Sequence, residues 1–381
     1  MKRLWYLVSA ITASIALTTL LVIGARAFTP PSLEPVENSM WQQVNMDGFG
    51  NPQNVQLPSL AVFQDSLYAG TWSYDGIDYA YEVWRTENGT EWELAGEGLR
   101  GGAAVMKGFG DHLYLGTWEG VVMRTPDGLT WTDVITDGFG EANNGIARFA
   151  DFDAMLYAST WSDTGTDIWR TADGVNWSQF AADGLGDGNN YGAIASEVFA
   201  GRLVFGTGNS TTAGQIWHTD GITWTAVITD AFNGPENRAV SSLASFDGYL
   251  YAGLVNEAGP EVWRSEDGLA WSPIITDGLD HITGDPFSAL EVAGDQLYLV
   301  VGSYNGTGVP VEVWSTSDGL AWQQIGSAGF GDPANSGTYW DNATAVFHGT
   351  LYTGIQNWQT GIELWRLLPH QTYMPLILQP E

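Results

Sequence analysis

Between residues 40 and 366 the chain alternates short apolar runs with breaks rich in Gly, Asp, Asn and Ser. The runs favour Val, Ile, Tyr, Trp and Thr, the residues of strands, and none carries a helical period. One run, "LYAG" at 67–70, returns as "LYLG" (113–116), "LYAS" (156–159), "LVFG" (203–206), "LYAG" (250–253), "LYLV" (297–300) and "LYTG" (351–354). Another, "EVW" at 82–84, returns as "VVM" (121–123), "DIW" (167–169), "QIW" (215–217), "EVW" (261–263 and 312–314) and "ELW" (363–365). A turn phrase such as "RSEDGLAW" (264–271) follows it and closes on Trp92, Trp131, Trp177, Trp224, Trp271 or Trp322. These tryptophans lie 39 to 51 residues apart, near the period of a four-stranded propeller blade. A short apolar run such as "SLAVF" (59–63) opens each copy, and a run such as "WTDVIT" (131–136) ends it.

The two ends of the array complete each other. The last copy stops after its third run, at Trp365, and the first is preceded by an orphan fourth run, "MWQQV" (40–44), with Trp41 in the closing position. Pairing them closes a ring and removes the exposed edges of an open sheet. The pattern therefore predicts an all-β fold: one seven-bladed β-propeller of four-stranded blades over 40–366, with the N-terminal outer strand 40–44 completing the last blade.

The segments outside the array read differently. "MKR", an apolar stretch over 4–24 and "ARA" (25–27) form a signal peptide over 1–27, or an N-terminal anchor if cleavage fails. A Pro-rich linker follows over 28–39, and a C-terminal tail with "YMPLIL" (373–378) occupies 367–381. Export to the cell surface or the extracellular space is expected, with membrane contact only through an uncleaved N-terminus. No cysteine is present, so stability rests on packing. The 13 basic and 44 acidic residues give a net charge of −31, which repels phosphate backbones and argues against nucleic-acid binding.

The repeated phrase reads as scaffolding. Asp-Gly supplies the positive φ of a tight hairpin, and the following Trp brings a large apolar surface. A residue repeated around a ring serves packing before chemistry. The phrase, as in "TPDGLTW" (125–131), resembles the Asp-box of sialidase-like propellers, one residue shorter between Asp and Gly. The wording of the whole array is similar to secreted bacterial propellers of an uncharacterised branch of that superfamily. The resemblance implies architecture over nearly all of 40–366. It would also imply, for a sialidase, an arginine triad, a Tyr–Glu nucleophile pair and an Arg-Ile-Pro motif; the motif and the triad are missing from the sequence.

Candidate chemistry gathers in the loops that precede the innermost strands and those that follow the second strands, which share one face. Asn144, Asn190 and Asn237 end the runs "DGFGEANN", "DGLGDGNN" and "DAFNGPEN" and are expected near the channel mouth, either binding a ligand or capping their own turns. Trp72, Trp118 and Trp161 leave the second strands of three adjacent copies, with Tyr339, Trp340 and Trp358 on the same side of the last copy. They suit a platform for a sugar ring or an apolar side chain, or wedges between blades. Arg148 and Arg238 fall beside innermost strands and could reach the channel. Glu141, Glu236 and Asp341 are the weak catalytic candidates, because any glycosidase needs two carboxylates. No cofactor is expected; calcium stays open at Asp183 and Asp187, although their spacing matches no calcium loop. The function expected is non-catalytic recognition of a glycan or an extracellular protein by a monomer. The alternatives are a sialidase-like glycoside hydrolase and a structural envelope protein.

Overall fold

A computed structural model of the protein describes residues 40–369, apart from 75–78, 98, 100, 141–144, 231, 233, 235, 277, 285, 304–309 and 338–340. The segments read as signal peptide, linker and most of the tail lie outside the described residues, as do Glu141, Asn144, Tyr339 and Trp340.

The strands sort into seven antiparallel groups of four, with one extra short strand in the last. Blade 1 comprises Asn54–Phe63, Ser66–Tyr74, Tyr79–Thr86 and Glu93–Glu97. The innermost strands of blades 2 to 6 are Ala103–Phe109, Gly145–Phe152, Gly192–Phe199, Asn237–Phe246 and Phe287–Ala293. In blade 7 the inner strand is split into Asn335–Gly337 and Thr344–Phe347, and both pieces pair with Thr350–Asn357. Its outer strand is Trp41–Gln43, which pairs with Glu363–Leu367 in the register Trp41↔Leu367. The N-terminal closure expected from the repeat count is therefore present. All-β architecture, four-stranded blades and the ring are as the periodicity predicts; the split inner strand of blade 7 is new.

The Asp-Gly phrase works as a hairpin clamp. Asp127 Oδ1 accepts the backbone N–H groups of Leu129 at 2.9 Å and Thr130 at 2.8 Å, and Thr125 Oγ1 donates to it at 2.9 Å. Asp173, Asp267 and Asp318 repeat the arrangement, and Asn88 does the same in blade 1. The glycine that follows has φ near +70° and also makes room for a neighbour. A Cβ on Gly174 would lie 1.6 Å from Tyr114 Oη of the preceding blade, and one on Gly128 2.0 Å from Tyr68 Oη. Tyr352 Oη of blade 7 meets Gly89 of blade 1 in the same way, across the closure. Thus the Tyr of "LY" in one blade docks on the Asp-Gly of the next, which explains why the two motifs recur together.

A second clamp pins several of the loops to the blade they enter. Phe49, Phe139 and Phe330 are held at φ +55°, +64° and +54°, a region costly for a side chain with a Cβ. Burial offsets that cost: Phe49 stacks on Trp84 at 4.8 Å, Phe139 on Trp169 at 4.7 Å and Phe330 on Trp365 at 4.7 Å. Phe330 also meets the edge of Trp41 at 5.1 Å, so the closing strand carries the tryptophan that completes the clamp of blade 7.

The carboxylates of the hairpin clamps give the fold an acid limit. Asp127 and Asp173 are held well below the usual carboxylate range, first by the backbone N–H of Thr130 and of Asn176. Asp220, Asp267 and Asp318 are lowered first by the N–H three residues on. Lowered folded-state values mean that this contribution is complete above about pH 4 and is lost as pH falls towards them. Glu363 runs the other way: burial raises it, despite hydrogen bonds from Asn335 and Trp365, so its contribution is lost as pH rises through the raised value. The thermal midpoint is expected to fall below about pH 4, and less steeply in Asp173→Asn, because Asn88 shows that an amide oxygen accepts the same two N–H groups. A midpoint independent of pH between about 4 and 2 would contradict this reading.

Candidate functional site

The Asn residues expected at the channel mouth are inside the blades. Asn190 is fully buried; its Nδ2 donates to Gly184 O and to Gln215 Oε1, both at 2.8 Å, and its Oδ1 accepts from Thr207 and Asn209 at 3.0 Å. Asn237, 2% exposed, donates to Glu261 Oε2 at 3.3 Å and accepts from Asn256 at 2.7 Å. Asn54 and Asn335 make the equivalent bonds to Glu82 and Glu363. The same carboxylates accept the indole N–H of the Trp two residues on, as Glu261 does from Trp263 at 2.8 Å. These amides join the loop, inner strand and third strand of one blade, and turn capping is the role the geometry gives them.

The channel is also arranged differently from the expectation. The halves of the innermost strands nearer the variable loops are buried, and an apolar cluster joins Leu57, Ala147, Ile194, Ala239 and Ala343. Phe287, Trp118 and Trp161 pack on that cluster, closing the loop-face end. Trp118 meets Trp161 edge to face at 5.7 Å, and Trp161 lies 4.7 Å from Tyr191. Trp161 is further tied by its bridge to Gly192 of blade 4. These two half-buried indoles are wedges in the plug, not a free platform. Beyond it lies a cavity of about 420 Å³ lined by the other halves of the innermost strands, including Lys107, Arg148, Glu197 and Glu291. Arg148 does reach the channel: its Nε donates to Ser196 Oγ at 3.1 Å and its Nη1 to Asn342 Oδ1. Lys107 is paired with Asp151 at 2.7 Å. Arg238 stays outside, in a 3.4 Å ion pair with Glu257.

The weak catalytic and metal candidates do not assemble. Glu236 is exposed in a turn, and Asp341 opens the short turn Asp341–Ala343. Asp187 accepts from Asn189, Asn209, Thr212 and Gln215, which uses its oxygens inside blade 4, whereas Asp183 is exposed. Among the described residues no group of three or more acidic or histidine side chains is placed to hold a metal ion.

One aromatic stands apart. Trp358 is 45% exposed, at the tip of the loop after the second strand of blade 7. Asn357 Oδ1 accepts the N–H groups of Gln359 at 2.9 Å and Thr360 at 3.1 Å, and its Nδ2 donates to Asn335 Oδ1 and Asp332 Oδ2. Blade 4 builds the same turn with Asn209, which accepts from Thr211 and Thr212 and donates to Asn190 and Asp187. The segments "NSTTAGQ" (209–215) and "NWQTGIE" (357–363) have equal length, and Ser210 stands where blade 7 has Trp358. The turn itself does not need an indole, since blade 4 builds it with Ser210. Trp72 of blade 1 supports it edge to face at 6.5 Å. Beside it lies a pocket of about 320 Å³ lined by Asp332, Pro333, Ala334, Ser336, Trp358 and Gln359. Ser336 and Gln359 carried no signal in the sequence beyond lying in the blade where the repeat is broken.

No protein-family model matches the sequence, and no curated protein does. Solved propeller structures match the fold. A YCF48 chain bound to D1 peptide is 15% identical with a TM-score of 0.57, over 89% of this chain and 99% of that one. A chain of the mitotic checkpoint complex is 12% identical with a TM-score of 0.55, over 91% and 100%. The WD40 propeller domain of Doa1 is 13% identical with a TM-score of 0.54, over 85% and 96%. At such identities the likeness is one of fold.

Proposed function

We propose that the chain is an exported, non-catalytic recognition propeller that binds a glycan or an extracellular protein on its loop face, at the seam between blades 7 and 1. The observation that carries this is Trp358, an exposed indole on a turn that blade 4 builds with Ser210. Large exposed aromatics on a rigid turn are a common basis of recognition, since they offer apolar area at little entropic cost. The N-terminal segment supports export, and the acidic surface keeps the protein soluble outside the cell. A propeller of similar fold is solved with a bound peptide, so the scaffold is compatible with such a partner. The sialidase-like resemblance rests on the hairpin phrase, whose residues here hold blades together. A glycosidase would need two carboxylates at the site, and among the described residues Asp332 is the one that lines the pocket.

Trp358→Ala in the full chain is expected to cut binding to glycan and protein arrays by about tenfold or more, with a thermal midpoint within about 1 °C of the parent. Undiminished binding by a well-folded Trp358→Ala protein would overturn the assignment of the seam.

A further inference from the structure

Below the indoles the seam contains polar atoms that the fold leaves unused. Alternate residues of Thr350–Asn357 face opposite neighbours. Tyr352 and Gly354 face blade 1, where they meet Gly89 and Leu57. Gln356 shares that face and is 1% exposed, yet neither Oε1 nor Nε2 has a hydrogen-bond partner among the described residues. Ser336 is 3% exposed and lines the pocket beside Trp358, and its Oγ also has none. Buried polar groups are normally paired, so an unpaired Ser336 hydroxyl lining the pocket beside an exposed indole requires an explanation.

We infer that this seam is a site for one neutral sugar ring. The inference rests on the recognition reading and deepens it. The hydroxyl of Ser336 and the amide of Gln359, which both line the pocket, offer donors and acceptors together, which is the pattern that vicinal hydroxyls complement. The exposed indole matches the C–H face of a pyranose, and the Asp332 carboxylate can accept a further hydroxyl. A cavity near 320 Å³ is at the small end of ligand sites and suits one ring in place of a chain. Neither Lys nor Arg is among the described residues that line it, and the protein carries −31 charges, so acidic sugars are disfavoured. An apolar peptide side chain would cover Trp358 but leave the Ser336 hydroxyl unpaired, which favours the sugar over the peptide.

The test titrates the full chain with glucose, galactose, mannose, N-acetylglucosamine and their disaccharides, with glucuronic and sialic acids as anionic controls. Saturation-transfer NMR and tryptophan fluorescence report binding. At least one neutral sugar should bind, and the acids should bind about tenfold more weakly or not at all. Ser336→Ala should weaken it about 5–10-fold, the worth of one hydrogen bond, with the thermal midpoint unchanged or raised. A merely structural Ser336 would leave affinity untouched, and that result overturns the inference. If no sugar binds while Trp358-dependent protein binding persists, the sugar site falls and the recognition reading stands. If neither ligand class binds, both fall.

Discussion

Trp41→Ala should cost about 3–5 kcal/mol and open the ring at blade 7. Trp41 is 3% exposed, meets the edge of Phe330, and its indole N–H donates to Ile325 O of blade 6 at 3.3 Å. Three backbone pairs, Trp41↔Leu367 to Gln43↔Trp365, depend on the strand it anchors. Removing the ring empties the space between blades 6 and 7 and leaves the edge Glu363–Leu367 unpaired. Hydrogen exchange should show lost protection at Glu363–Leu367 first, with blades 3 to 5 changed little. Because the seam between blades 7 and 1 is built on that blade, ligand binding should weaken with it. Uniform loss of protection around the ring would mean that closure is not the local role of this strand.

Gly174→Ala should destabilise by about 3 kcal/mol, lowering the thermal midpoint by roughly 4–5 °C. Two causes act together. The residue sits at φ +70°, and its new Cβ would lie 1.6 Å from Tyr114 Oη, a side chain only 1% exposed. The tyrosine cannot swing into solvent, so blades 2 and 3 must part. Tyr114→Phe in the same chain removes the closest clashing atom and should recover part of the loss, leaving the backbone strain and a 2.6 Å approach to Cζ. Full additivity of the two substitutions would show that the Tyr does not press on the Asp-Gly turn.

The fold was legible because its determinants are local and repeated. Asp-Gly, the Trp that closes each hairpin and the "LY" run announce the same unit, and counting units placed Trp41 in the last blade. The reason that Tyr and Gly recur together was not legible, since Tyr114 and Gly174 meet only when two blades stack. Asn190 and Asn237 looked like loop residues because Asn is a turn former; their partners Gln215 and Glu261 lie about one hairpin away in sequence. Trp118, Trp161 and Trp358 are chemically identical in a sequence. Packing on the plug across the channel half-buries the first two, and the turn of blade 7 presents the third. A comparison of "NSTTAGQ" with "NWQTGIE" could have singled out Trp358, whereas nothing in the sequence separates Ser336 or Gln356 from other polar strand residues.

The most direct test of recognition at the seam is the indole N–H spectrum of the ¹⁵N-labelled full chain, which carries 19 tryptophans. Trp72→Phe, Trp118→Phe, Trp161→Phe and Trp358→Phe assign the four signals that matter, and the neutral sugars and an array-selected protein ligand are then titrated in. Binding at the seam should shift Trp358 and Trp72 while Trp118 and Trp161, held in the plug, stay in place. Shifts confined to Trp118 and Trp161, or saturable binding that leaves Trp358 unmoved, would contradict it.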